Sequence, residues 1–98
     1  MEDSLNHLQF HNVKLRYFRE DVLILQSLPL EIRVEFKSYL KRNGRYTHVH
    51  ENDEPIEPIP ETRLFDADIE RLNQLHGEEL ISYIMRMVDE KRYIIVNE

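Results

Sequence analysis

Val13, Leu15 and Tyr17 alternate with Lys14, Arg16 and Phe18, the period of a half-buried strand. Leu8 and Phe10 carry the alternation upstream, past a bend or bulge at His11-Asn12. The apolar run Val22-Leu23-Ile24-Leu25 fits either a short helix, with the Asp21 carboxylate accepting a first-turn N–H, or a buried strand. Ser27-Leu28-Pro29 marks a boundary, because proline suits a first helical turn where its missing N–H would have had no partner. Ile32, Phe36, Tyr39 and Leu40 then recur at i, i+4, i+7 and i+8, one apolar stripe of a helix. Lys41, Arg42 and Gly44 supply its basic end and glycine stop. A short strand over Tyr46–His50 and an extended segment at 51–62 follow.

Asp66 opens a second helix that sets Phe65, Ile69, Leu72 and His76 on one side and closes at Gly77. A third helix runs from about Glu78 to Glu90. On a wheel of about 100° per residue its apolar positions, Leu80, Ile81, Tyr83, Ile84, Met85, Met87 and Val88, cover about 200°. That is wider than a surface helix needs, so this helix is central or turns half its face to another molecule. Tyr93-Ile94-Ile95-Val96 reads as a closing β-branched strand, paired with the N-terminal one. The pattern predicts a small α+β fold: one domain over 1–98, at least three helices packed with strands from both ends of the chain, and an extended acidic connector at 51–62. No internal repeat or low-complexity tract is evident.

Charge sharpens this picture. Residues 1–50 carry eight Lys/Arg against six Asp/Glu, and residues 51–98 carry five against thirteen, within a net charge of −6. Such asymmetry reports a charged partner or self-complementarity within the fold. The absence of cysteine excludes disulfides, thiolate ligands and a cysteine nucleophile, and fits a reducing compartment. Met1-Glu2-Asp3-Ser4 lacks the basic-then-apolar order of a secretory signal. The longest apolar run falls far short of the roughly 20 residues that cross a bilayer. The chain reads as soluble and cytoplasmic. Its two glycines, Gly44 and Gly77, stand too far apart for a glycine-rich phosphate loop.

Candidate chemistry is sparse. His7 and His11 have helix spacing and His48 and His50 strand spacing, beside Glu51 and Asp53. No further ligand has diagnostic spacing, and exposed histidines next to turns explain the pattern without a metal. His76 reads as a helix-end residue beside terminal carbonyls. The acidic pairs Glu20-Asp21, Glu78-Glu79 and Asp89-Glu90 sit near helix ends or turns, where structural duty suffices. Lys37, Lys41, Arg42 and Arg45 form the one basic group. A helix C-terminus accounts for them, and an acidic chain opposes direct nucleic-acid contact. The helix pair around Gly77 resembles a helix-turn-helix, but its reading helix would carry Glu78, Glu79, Asp89 and Glu90. Neither catalysis nor a cofactor is expected.

The run Glu54-Pro55-Ile56-Glu57-Pro58-Ile59-Pro60-Glu61 is the most suggestive interaction element, because alternating proline favours an extended, pre-ordered backbone. The expectation is a non-catalytic protein-binding or regulatory factor of inhibitor or adaptor type. Its acidic half would steer a basic protein partner toward Glu54, Ile56, Glu57, Ile59, Glu61, Met85 and Met87. Homodimerisation is a further expectation from the wide face of the third helix. Leu28-Pro29-Leu30-Glu31-Ile32-Arg33-Val34-Glu35-Phe36 resembles the helix–Leu-Pro–helix core of ubiquitin-binding motifs, and more loosely the start of F-box domains. That resemblance implies an alternative, ubiquitin-type binding through Leu28, Pro29 and Ile32. A metal-dependent protein using the histidines is the third option.

Overall fold

The computed structural model describes residues 13–50 and 58–96. They form an α+β fold with the order β1 (Val13–Tyr17), α1 (Arg19–Leu25), α2 (Leu30–Arg42), β2 (Tyr46–His50), β3 (Thr62–Arg63), α3 (Asp66–Leu72), α4 (Gly77–Glu90) and β4 (Ile94–Ile95). β1 pairs antiparallel with β2, setting Tyr17 opposite Tyr46 and Leu15 opposite His48. β3 pairs antiparallel with β4, Arg63 opposite Ile94, and the Val96 N–H extends the ladder to the Glu61 carbonyl. The closing strand therefore pairs with β3, not with the N-terminal strand. In each half two helices turn the chain back beside the strand it left, a shorter and cheaper closure than joining the two ends of the chain.

Two local expectations are also corrected. The run Val22–Leu25 is helical, and the helix starts at Arg19, ahead of Asp21. Asp21 is thus not a cap; its carboxylate points inward and is fully buried. Gly77 opens α4 rather than closing α3. α3 ends at Leu72, and Gly77 takes a left-handed φ of 60° at the first position of α4, a conformation open to glycine at little cost. Phe65 and His76 are exposed, so that end of the expected apolar side is not buried.

Contrary to the sequence reading, the described residues repeat a β-α-α-β unit. α1 begins at Arg19 and α3 at Asp66, 47 positions later, and both helices are seven residues long. The same step carries α2 onto α4 and their backbone details with it. Phe18 and Phe65 precede the first helices at φ −64°, ψ 145° and φ −70°, ψ 143°. Gln26 and Asn73 end them, both in the right-handed region. The turn bonds repeat one for one: Leu28 N–H to Leu25 C=O and Leu75 N–H to Leu72 C=O, then Arg45 N–H to Leu40 C=O and Arg92 N–H to Met87 C=O. Gly44 and Lys91 both take positive φ, 67° and 54°. Phe18/Phe65, Asp21/Asp68, Leu25/Leu72, Leu28/Leu75, Arg45/Arg92 and Tyr46/Tyr93 are identical pairs at this step.

The two halves join most extensively through one helix pair. α1 packs on α4, and Leu23, Ile24, Leu80, Ile84 and Val88 are buried. Their repeat equivalents are polar: Glu70 and Arg71 on α3 are exposed, Arg33 on α2 is half-buried, and Lys37 and Lys41 are exposed. Each buried aliphatic side chain at the join contributes about 1.5–3 kcal/mol, whereas Glu70, Arg71, Lys37 and Lys41 stay solvated at the outer faces and Arg33 donates to the Gln26 and Leu28 carbonyls of its own half. Polar outer faces are what terminate an array of stacked repeats. Thr62 locks the join from the sheet side. Its hydroxyl donates to the Leu23 carbonyl at 2.7 Å and accepts from Gln26 Nε2 at 3.0 Å, while Ser27 Oγ donates to the Thr62 carbonyl at 2.7 Å. The width of the α4 apolar face follows, because α4 packs on both α1 and α3 and buries Leu80, Ile84, Met87 and Val88.

Candidate functional site

The strongest electrostatic features are two repeat-related clasps. In the first half the fully buried Asp21 carboxylate accepts from Arg45 Nε at 2.9 Å and Nη2 at 3.0 Å. Arg45 lies over the Phe18 ring, 5.6 Å from its centroid, and the carboxylate raises the guanidinium pKa. In the second half the equally buried Asp68 accepts from Arg92 Nη2 at 2.8 Å and Nε at 3.1 Å, and from the Tyr83 hydroxyl at 2.6 Å. The Arg92 bonds, then the Tyr83 bond, hold the Asp68 carboxyl below its ordinary range against the opposing effect of burial. The same bond to Asp68 pushes the Tyr83 phenol up. Each clasp ties the first helix of its half to the residue just after the second helix. The oxygens of both carboxylates are committed to neighbours in the fold, so both clasps are structural.

The open site is a groove of about 820 Å³ between α2 and α4. Tyr39, Ile81 and Met85 line it and are half-buried, which leaves apolar surface available to an occupant. Glu35, Glu78, Asp89 and Glu90 stand around this strip with Arg42 and Arg86, a rim with two more acids than bases. Glu90 is partly matched by Arg92 Nη1 at 3.3 Å. Both walls use the same repeat positions: Glu35 and Ser82, Tyr39 and Arg86, Arg42 and Asp89, Asn43 and Glu90 are pairs 47 apart, and all eight line the groove. None of these four pairs is identical, whereas the clasp pairs are. The groove is assembled from the shared unit but chemically differentiated.

The expected binding residues scatter across this arrangement. Met85 lies in the groove. Met87 is in the core at 1% exposure, so it is no partner-facing anchor. Ile59 is half-buried and Glu61 exposed; Glu54, Ile56 and Glu57 lie outside the described residues. Leu28 and Ile32 are core residues and Pro29 sits half-buried ahead of α2. The ubiquitin-type surface is therefore mostly turned inward, and it is Leu30 and Val34 that reach solvent. Of the basic group, Arg45 is taken by the first clasp, Arg42 lines the groove, and Lys37 and Lys41 are exposed. His48 is exposed, and among the described residues no three His, Cys, Asp or Glu side chains gather as a metal site would require. No described helix is long and apolar enough to cross a membrane.

Sequence reasoning missed Tyr39, Ile81 and Glu35 as groove residues. Tyr39 falls on the apolar stripe of α2, and a stripe position does not tell a groove face from a core face. The signal for Ile81 was the excess width of the α4 face, which burial against the two halves does not use up. Compared with known proteins, the chain matches no family model, no curated protein and no solved structure.

Proposed function

We propose that this chain is a small non-catalytic protein-binding module of inhibitor or adaptor type, and that the groove between α2 and α4 receives a basic, amphipathic helical segment of a protein partner. The observation that carries this reading is the half-buried strip of Tyr39, Ile81 and Met85 inside a rim rich in Glu and Asp. An apolar groove between helices is a common seat for an amphipathic helix. Carboxylates at its edge favour Lys and Arg beside the apolar anchors and raise the encounter rate of a basic partner. The chain's net charge of −6 acts in the same sense over longer range.

The test is titration of a fluorescent Lys/Leu amphipathic helical peptide into the purified protein, beside an acidic peptide with the same apolar spacing. Binding of the basic peptide should weaken about tenfold or more in Met85→Glu, and should weaken in a Glu78→Lys/Asp89→Lys variant and with added salt, since exposed charges are screened. Equal affinity for both peptides, or no effect of Met85→Glu on a folded protein, would overturn the reading.

A further inference from the structure

Helix α2 carries, on the side away from the groove, the kind of segment the groove is suited to accept. Leu30 and Val34 are 69% and 61% exposed, and Lys37 and Lys41 are exposed on the next two turns. At about 100° per residue these four positions fall within roughly 60° of one another. They form one stripe, apolar at its N-terminal end and basic at its C-terminal end. The repeat supplies the reason for the stripe's chemistry. Lys37 and Lys41 stand where Ile84 and Val88 bury the join in the other half, so lysine there closes the face to another α1-type helix. It does not close the face to an acidic apolar groove, and Leu30 and Val34 stay uncovered.

We propose that a second copy of this chain is an occupant of the groove: the Leu30-Val34-Lys37-Lys41 stripe of one molecule seats against Tyr39, Ile81 and Met85 of the next, with the lysines meeting the acidic rim. This rests on the reading of the groove as a seat for a basic amphipathic helix and names the helix. The geometry also sets the kind of assembly. Glu35, Tyr39 and Arg42, the α2 wall of the groove, are centred roughly 140° around the helix from the stripe. Donor and acceptor surfaces therefore face opposite ways, and one pair of molecules cannot satisfy both at a single two-fold contact. The contact is head-to-tail, which generates a ring or an open chain. Residues 1–12 are a poorer occupant. Leu5, Leu8 and Phe10 are apolar, but the charged side chains among them are Glu2 and Asp3, which the acidic rim repels.

Sedimentation equilibrium over a wide concentration range tests this with two variants of the full chain, Val34→Glu/Lys37→Glu on the exposed stripe and Met85→Glu in the groove. Circular dichroism confirms that both remain folded. The wild-type mass should rise with concentration past that of two chains, and each variant alone should stay monomeric. Mixed together, the two variants should stop at one-to-one pairs, because one contributes an intact stripe and the other an intact groove. A wild type that stays monomeric at the highest concentration overturns self-occupancy, as does a mixture that forms no pairs or two variants that associate like the wild type. The Lys/Leu peptide run in parallel separates the two claims. Peptide binding without self-association leaves the groove standing and removes this occupant, and loss of both removes both.

Discussion

Replacing Arg45 with Gln is the sharpest test of what holds each half closed. The substitution removes the two guanidinium bonds to Asp21, at 2.9 and 3.0 Å, from a carboxylate with no solvent exposure. Breaking a buried ion pair from one side costs about 3–5 kcal/mol, because the other charge stays desolvated. Arg45 is itself 28% exposed, so water can follow into the vacated space, and we expect the lower end, about 3 kcal/mol. Asp21→Asn acts from the other side. It removes the buried charge, keeps the shape, and leaves Arg45 free to turn toward water, for about 1–2 kcal/mol. The order of the two losses carries the argument more than either value. Urea unfolding followed by circular dichroism measures it. With a slope of about 2 kcal/mol per molar, Arg45→Gln should lower the midpoint by about 1.5 M. In a protein with roughly 5–15 kcal/mol to lose, that shift is large. The double variant should lose less than the sum, since no buried charge then remains unpaired. If Arg45→Gln costs no more than Asp21→Asn, the carboxylate is solvated in the folded protein and the clasp account is wrong. The corresponding pair in the second half should show the same order with a smaller gap, because Tyr83 also bonds Asp68.

The repeat makes a paired prediction at the ends of the long helices, where Gly44 and Lys91 hold the same left-handed conformation. Lys91→Gly should stabilise by about 0.5–1 kcal/mol, relief of a side chain's cost there less the chain entropy of glycine, while Gly44→Ala should destabilise by about 1 kcal/mol; its added methyl meets nothing within 4 Å, so like signs in thermal unfolding would refute the backbone argument. Stability should also depend on pH through Asp68 and Tyr83. The carboxyl is held below its ordinary value, first by Arg92 and then by Tyr83, so its contribution is complete above the unfolded pKa of about 3.9 and is lost as pH falls from there through the depressed folded value. The phenol is held above its ordinary value by Asp68, so its contribution is complete below about pH 10 and fades as pH rises further. Urea midpoints against pH should fall less steeply at both ends in Asp68→Asn than in the wild type, and an unchanged acid limb would refute the assignment.

The elements that the sequence made legible are those whose periodicity is long or clean. The alternation through Val13–Tyr17 and the stripe Ile32, Phe36, Leu40 each have one consistent reading, and the structure has both. The run Val22–Leu25 was ambiguous because four consecutive apolar residues have no period. What decides its helix is tertiary: Leu23 and Ile24 bury against α4, and Asp21 finds Arg45, which lies 24 positions away. Gly77 misled because glycine tolerates positive φ at either end of a helix, and residue type alone does not tell a stop from a start. Of the site, Met85 was legible as excess apolar width on α4. The second wall was not, because Tyr39 on the apolar stripe of α2 looks the same in sequence whether it faces the core or a groove.

The repeat escaped a reading by runs and motifs because its identical pairs are scattered. Phe18, Asp21, Leu25, Leu28, Arg45 and Tyr46 recur 47 positions on, but nearly every residue between them has changed. Their spacing is what the fold needs: a helix entry, a buried acid, two core leucines, and the arginine and tyrosine that begin the return strand. The changed positions are not noise either. At the join, Leu23, Ile24, Leu80, Ile84 and Val88 are apolar in one half and polar or charged in the other, which lets two units pack once and stops a third. In the groove, four position pairs line both walls and differ at every one. A single unit supplies only one wall, so the groove exists only where the two halves are paired. The charge break along the chain then has a local meaning: most of the rim acids, Glu78, Asp89 and Glu90, belong to the second half, while Lys37 and Lys41 on the outer face belong to the first. One molecule thus carries both an acidic groove and a basic stripe, the combination that the proposed head-to-tail association requires.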